Sequence, residues 1–223
     1  MNQPSFSSLP ASLVALALFA PAGCSTADST PGLDFPYKVM SVANGTINAG
    51  EGNSVLSQGK PLRLSGMGIK VGDKLHDVKL TQVDLALVSV TDTKGKGKVR
   101  IISVVPSIDK EVYAQQTHYL SEKNKGLDKI VELITISIDT PFAQKRFAEE
   151  AKITNVTFLS DYRGADFGKA HGLYLKDPHV LTQAVIVVDT ASVVRYLQVT
   201  PELAQLADMD EAFRFARTLV TAS

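Results

Sequence analysis

Nucleophilic or metal chemistry in this chain of 223 residues would have to come from one cysteine, four histidines and a serine beside a proline. Cys24 is the single thiol, so no disulfide can close within the chain. It stands in a small, polar stretch with no helix start around it and no cation near it in sequence. It therefore lacks the usual means of becoming a thiolate at neutral pH. His76, His118, His171 and His179 show no tight ligand spacing, and no thiol is placed to assist them, so neither zinc nor copper is implied. Ser107 has no assigned histidine and carboxylate partners, which leaves a hydrolase triad unsupported. Tyr113 falls just inside an expected helix start, where its phenol, with a reference pKa of about 10, is a poor nucleophile. No glycine-rich phosphate loop follows a strand, and no cofactor is implied.

From Asn53 onward, short strands alternate with helical stretches. Val55–Ser57 and Pro61–Leu64 flank Gln58-Gly59-Lys60, a short hairpin signal. Leu85–Thr91 and Val99–Val105 are β-branched, and the second is apolar on both faces, as a central buried strand is. Pro106 ends it, and Ser107 or Asp109 is expected to cap the helix that follows. Ile130–Ile138 reads as a strand, Asp139-Thr140-Pro141 opens a helix running to about Ala151, and Val156–Leu159 reads as a further strand. Tyr162–His171 is a short helix, and Ala184–Asp189 with Val193–Val199 a closing hairpin. Leu206, Met209, Phe213, Ala216 and Val220 recur at three and four, an amphipathic terminal helix. Such alternation with an antiparallel close predicts a mixed central sheet flanked by helices, of α/β class.

The chain is 44% hydrophobic and 21% charged with zero formal net charge, the balance of a soluble globular protein. No basic face recommends nucleic acid. Lys94-Gly95-Lys96-Gly97-Lys98 is the one local basic cluster and reads as a solvated hairpin loop between two strands.

Residues 106–113, Pro-Ser-Ile-Asp-Lys-Glu-Val-Tyr, resemble the active-site run of the thiol peroxidases, the Tpx-type atypical two-Cys peroxiredoxins, which reads Pro-Ser-Ile-Asp-Thr-x-Val-Cys. Residues 136–148, Ile-Ser-Ile-Asp-Thr-Pro-Phe-Ala-Gln-Lys-Arg-Phe-Ala, are similar to the family's Ile-Ser-x-Asp-Leu-Pro-Phe-Ala-x-x-Arg-Phe-Cys. Residues 159–167, Leu-Ser-Asp-Tyr-Arg-Gly-Ala-Asp-Phe, resemble Leu-Ser-x-x-Arg-x-x-x-Phe. Gln58-Gly59-Lys60-Pro61-Leu62 and Val71-Gly72-Asp73 match the family's first hairpin and the loop after it. The similarity runs collinearly from Asn53 to Leu219. It implies a thioredoxin-like (peroxiredoxin) fold with an N-terminal β-hairpin.

The resemblance also implies what is missing. The family's peroxide-attacking Cys is Tyr113 here and its resolving Cys is Ala148. The Thr that helps hold the peroxide is Lys110, while Pro106 and the pocket-lining Arg163 are kept. A peroxidatic thiol works as a thiolate and passes through a sulfenic acid, and a phenol offers neither step. The expectation is a degenerate pocket of Pro106, Lys110, Tyr113 and Arg163 that either holds a small anion or a carboxylate or is plugged by Tyr113. The alternative is a peroxide reductase whose thiol comes in trans, from a partner protein or from Cys24 of another subunit. The family's homodimers make self-association a further expectation.

The first 23 residues carry no Asp, Glu, Lys or Arg, and Ala11–Ala20 is apolar over a signal-peptide length. Pro21-Ala22-Gly23-Cys24-Ser25 resembles a bacterial lipobox, whose Cys is acylated. It departs from the pattern at Pro21 and in its uncharged n-region, and an ordinary cleaved signal is the other reading. The expected organisation is a signal peptide over 1–23, a lipid-bearing Cys24 with a flexible linker over 24–52, and the thioredoxin-like domain over 53–223. Two or more acyl chains on Cys24 would tether the domain to the membrane. By analogy, Ser25 favours the outer membrane over the inner, with the domain facing the periplasm. A small anion or a protein partner completes the expected interactions.

Overall fold

The computed structural model describes Met1, residues 35–95 and residues 97–221, and the folded unit begins at Phe35. Cys24 and the expected signal segment that precedes it, from residue 2, lie outside the described residues. Two strands, β1 (Ser54–Ser57) and β2 (Lys60–Ser65), form the first hairpin. Gln58 and Gly59, both at positive φ (51° and 76°), make its two-residue turn, the geometry that matches strand twist. Next come β3 (Lys79–Gln82), β4 (Leu87–Ser89), β5 (Arg100–Val104), α1 (Glu111–Glu122), β6 (Glu132–Ser137) and α2 (Pro141–Glu150). The chain ends with β7 (Val156–Ser160), α3 (Asp166–His171), β8 (Tyr174–Leu175), β9 (Val180–Leu181), β10 (Ala184–Val188), β11 (Val194–Val199) and α4 (Met209–Thr221).

Seven strands form a mixed sheet in the order β11-β10-β5-β6-β7-β3-β4, and β1-β2-β8-β9 form a second, antiparallel sheet. Strands β5, β6 and β7 are parallel and buried along their whole length. Period-two alternation divides their side chains between two cores. Ile102, Val104, Ile134, Ile136 and Leu159 face the core that holds Phe167 of α3 and Leu64 of β2. Ile101, Leu133, Val156 and Phe158 face the core closed by Leu120 of α1 and by Ala212, Phe213 and Ala216 of α4. Helices on one face, and α3 with the small sheet on the other, give the layers expected of a thioredoxin-like fold.

Several local expectations need correction. Strand β3 is too short and polar to have been legible from its sequence, and Leu85–Thr91 contracts to β4 because Leu85 turns at φ 72°. The connection from β4 to β5 is not a hairpin loop, because the two strands are not neighbours in the sheet. A buried ion pair pins that connection. Arg100 donates from Nε to Glu132 at 3.1 Å, and its two other nitrogens donate to the carbonyls of Gly95 (2.9 Å) and Lys98 (3.2 Å). Helix α4 starts at Met209, not Leu206, where the Asp208 carboxylate accepts the Glu211 amide at 3.0 Å.

Residues 35–52, expected as linker, lie along the fold. Ala43 N donates to Leu206 O (2.7 Å), Leu206 N to Ser41 O (2.8 Å) and Ile47 N to Val199 O (3.1 Å). Phe35 stacks on His118 of α1 at 4.0 Å between ring centroids. Gly50 N donates to Gly172 O at 2.9 Å. A Cβ on Gly172, at φ 66°, would stand 2.4 Å from the Gly50 backbone, so the close approach requires glycine.

Candidate functional site

Parallel strands deliver their carboxyl ends to one edge of the sheet, where α/β proteins hold ligands. At that edge lie the turns after β5, β6 and β7, which carry Pro106 to Tyr113, Asp139 to Pro141 and Asp161 to Phe167. Pro106, buried, follows the end of β5. The carboxylate of Asp139, at the end of β6, then holds the turn. It accepts Ser107 Oγ at 2.7 Å on one oxygen and the Ile108 amide at 2.8 Å on the other. Ser107 is therefore committed to Asp139 and the Asp109 amide (3.3 Å). Neither Ser107 nor Asp109 caps α1. Lys110 occupies the cap position without a side-chain bond, and its carbonyl accepts the amides of Tyr113 (3.0 Å) and Ala114 (2.9 Å). The Lys110 side chain is exposed.

Tyr113 points inward from the first turn of α1 and is 4% exposed, packed among Val105 and Ile108 with Phe147 of α2 alongside. Its hydroxyl donates to the Leu203 carbonyl at 3.1 Å. Burial, and then the nearby Glu202 charge, push the phenol up to about 12, so it stays protonated and remains a donor. The segment it holds is braced on its far side, since Leu203 N donates to Leu56 O (2.9 Å) and Leu56 N to Pro201 O (2.7 Å). Through Tyr113, the start of α1 is thus tied to the first hairpin.

Arg163 stands on another turn of the same edge. It is exposed on the turn after β7 and lines a separate cleft of about 130 Å³ with Lys79 and Thr81 of β3 and with Asp161 and Asp166. Neither Pro106, Lys110 nor Tyr113 takes part in that cleft. Of the four expected pocket residues, Pro106, Lys110 and Tyr113 thus share the turn after β5, and Arg163 lies on the turn after β7. Helix α3 begins at Asp166, not Tyr162. The buried Asp161 carboxylate accepts the amides of Phe167 (3.1 Å) and Gly168 (2.9 Å), and burial raises it to about 6 against those stabilising bonds. Ala148, on α2, lines a different cleft of about 410 Å³ with Ile153, Val156 and Phe158. It packs with the second core, not with Tyr113.

The histidines have structural partners. His171 is fully buried, accepts the His76 amide on Nε2 at 3.1 Å and is pushed down to about 4 by burial. Tyr174 and His179 share a 2.6 Å hydrogen bond. No group of three His, Cys, Asp or Glu side chains is arranged to hold a metal among the described residues, and none of their helices is long and apolar enough to cross a membrane. Asp139 and Asp161, the two carboxylates that organise the edge, were missed as site residues. Their sequence signal was an Asp directly after a β-branched run and ahead of a helix, a cap signature. Lys79 and Thr81 gave no such signal.

The Redoxin family model matches residues 70–213. A thiol peroxidase of Halalkalibacterium halodurans is 39% identical over 164 residues, covering 74% of this chain and 97% of that protein. A thiol peroxidase of Streptococcus pneumoniae is 38% identical over 161 residues, covering 72% and 97%. Among solved structures, a peroxiredoxin-like protein from Aquifex aeolicus superposes with a TM-score of 0.70 at 31% identity over 77% of this chain and 99% of that one. Thiol peroxidase from Chromobacterium violaceum gives 0.67 at 23% identity over 78% and 100%, a likeness of fold.

Proposed function

Since this chain belongs to the redoxin family, on the branch of the thiol peroxidases, we propose that it is a thiol peroxidase-like lipoprotein that has lost its catalytic cysteines and serves as a binding or interaction module at the cell envelope. One observation carries the reading. The first turn of α1, where the resemblance of residues 106–113 to the family motif puts the attacking thiol, bears a buried phenol whose hydroxyl is already bonded to the chain. Thiol-based peroxide reduction needs a thiolate that attacks one peroxide oxygen, breaking the O–O bond, releasing water or an alcohol and leaving a sulfenic acid, which a second thiol then condenses with to form a disulfide and water. With Tyr113 and Ala148 at the two positions and Cys24 the chain's single thiol, neither half of that cycle has a reagent within the domain.

Cys24 as the lipid-bearing N-terminus of the mature protein fits the same reading. Ten residues separate Cys24 from Phe35, a span of at most about 40 Å when extended. The domain would then ride close to the membrane surface on the periplasmic side, with the outer membrane the favoured site. Homodimerisation is part of the proposal, as is a protein or small-anion partner. The test is consumption of hydrogen peroxide and of an alkyl hydroperoxide by the purified protein with thioredoxin as reductant. No turnover above a protein-free control is expected. Turnover would favour a thiol supplied in trans and overturn the non-catalytic reading. Mass spectrometry of the mature N-terminus checks the acyl chains on Cys24.

A further inference from the structure

We infer that the cleft beside Arg163 is a binding site for a short-chain carboxylate. The inference stands on the cleft's own side chains and does not depend on whether position 113 ever held a thiol. The cleft sits at the carboxyl end of β7, where the sheet changes from the parallel run β5-β6-β7 to the antiparallel β3. Strand β3 places Lys79 and Thr81 on one of its faces, two residues apart, and pairs Thr81 with Ser160 of β7 and Leu87 of β4.

The donors and acceptors of the lining are unevenly committed. The Ser160 hydroxyl is taken by the Asp139 carbonyl, and the Asp161 carboxylate by two amides of α3. Thr81 is 3% exposed, yet its hydroxyl has no partner among the described residues, an arrangement that folded proteins rarely leave standing. Lys79 lies near enough to Asp77 to help hold that carboxyl low, but it forms no direct ion pair among the described residues. Arg163 forms none either. Two cations without ion pairs thus line the cleft together with Thr81, whose buried hydroxyl is unpartnered, and such a lining calls for an oxygen-rich anion.

Size and surroundings narrow the class. About 130 Å³ is well below the roughly 300 Å³ at which pockets for larger organic ligands begin, so a nucleotide or peptide does not fit. Leu87 supplies an apolar wall, while Asp161 and Asp166 stand in the lining and oppose a second negative charge. A monoanion with a short alkyl part satisfies both conditions, and a phosphate or sulfate dianion does not.

The experiment is a titration of the full chain with sodium acetate, sodium propionate and inorganic phosphate, followed by backbone amide NMR shifts. Saturable shifts at residues 79–81 and 160–166 are expected with both carboxylates, and weaker binding with phosphate. Arg163→Gln should weaken acetate binding roughly tenfold, as loss of a charge-assisted bond does, and Thr81→Val should weaken it by a smaller factor. Lys110→Ala, on the turn after β5, should leave it unchanged. Arg163 is exposed and unpaired, so its variant tests the site without testing the fold. The inference is overturned by the absence of saturable shifts, by tighter binding of phosphate than acetate, or by equal losses in Arg163→Gln and Lys110→Ala.

Discussion

Two turns at the same sheet edge have met opposite fates. After β5, the chain enters α1 with Tyr113 turned inward, its ring packed and its hydroxyl bonded to Leu203. After β7, the chain enters α3 with Arg163 turned outward over an open cleft. The first corner is closed by a side chain too large to leave room for a ligand. The second stays open because its carboxylate, Asp161, is drawn beneath it to cap α3, leaving the cations above without partners. Each turn is organised by its own carboxylate, the half-buried Asp139 for the first and the buried Asp161 for the second.

The contrast is broken most directly by removing the plug. Tyr113→Ala should cost about 3–5 kcal/mol of unfolding free energy, from lost burial and the cavity left behind. Arg163→Ala, at the open corner, should stay within about 0.5 kcal/mol. Urea denaturation at neutral pH measures both, and comparable losses would dissolve the distinction between a closed and an open corner.

Next in size is the effect of pH around α3. The Asp161 carboxyl rises from 3.8 to about 6 on folding. Between those values the folded chain keeps a proton that the unfolded chain has shed, so raising the pH through this window removes stability. A shift of this size corresponds to about 3 kcal/mol. His171 falls from 6.5 to about 4. There the unfolded chain keeps the proton that the folded chain has lost, so raising the pH through that window adds stability of about the same size. The two oppose each other, and the stability of the native chain should be nearly flat from pH 4 to 6.5. In Asp161→Asn the His171 contribution stands alone, and stability should climb by about 3 kcal/mol over that range. Urea midpoints at pH 4.5 and 6.5 read the difference.

Smaller effects sharpen the picture of the closed corner. Asp139→Asn keeps the shape but weakens bonds to Ser107 and Ile108, for an expected loss of about 2 kcal/mol. Amide exchange should quicken at Ile108 and Asp109 more than within α3. Tyr113→Phe removes only the hydroxyl bond to Leu203, for about 1 kcal/mol. The ratio of the Phe to the Ala effect separates the ring's packing from its hydrogen bond.

Much of the fold was legible because it rests on local signals. The all-apolar run ending at Val105, the Thr140-Pro141 helix start, and the closing hairpin around residues 190–192 each state their structure within a few residues. The site was legible only in part. Pro106, Lys110 and Tyr113 share one turn, so their proximity follows from sequence. Arg163 lies 50 residues further on, and its distance from Tyr113 depends on how each side chain leaves its turn. Residues 35–52 read as linker because their contacts are almost all to distant residues such as Gln115, Val199 and Leu206.

By itself, the sequence determined the class of fold, the family motifs and the fact that Cys24 is the chain's single thiol, because composition, periodicity and caps act over a few residues. Tertiary structure alone decided that Tyr113 lies buried against Leu203, that Lys79 and Thr81 meet Arg163, and that the first strand is preceded by a docked segment. Those outcomes depend on which surfaces are pressed together when the sheet assembles, and burial of that kind joins residues that no local pattern connects.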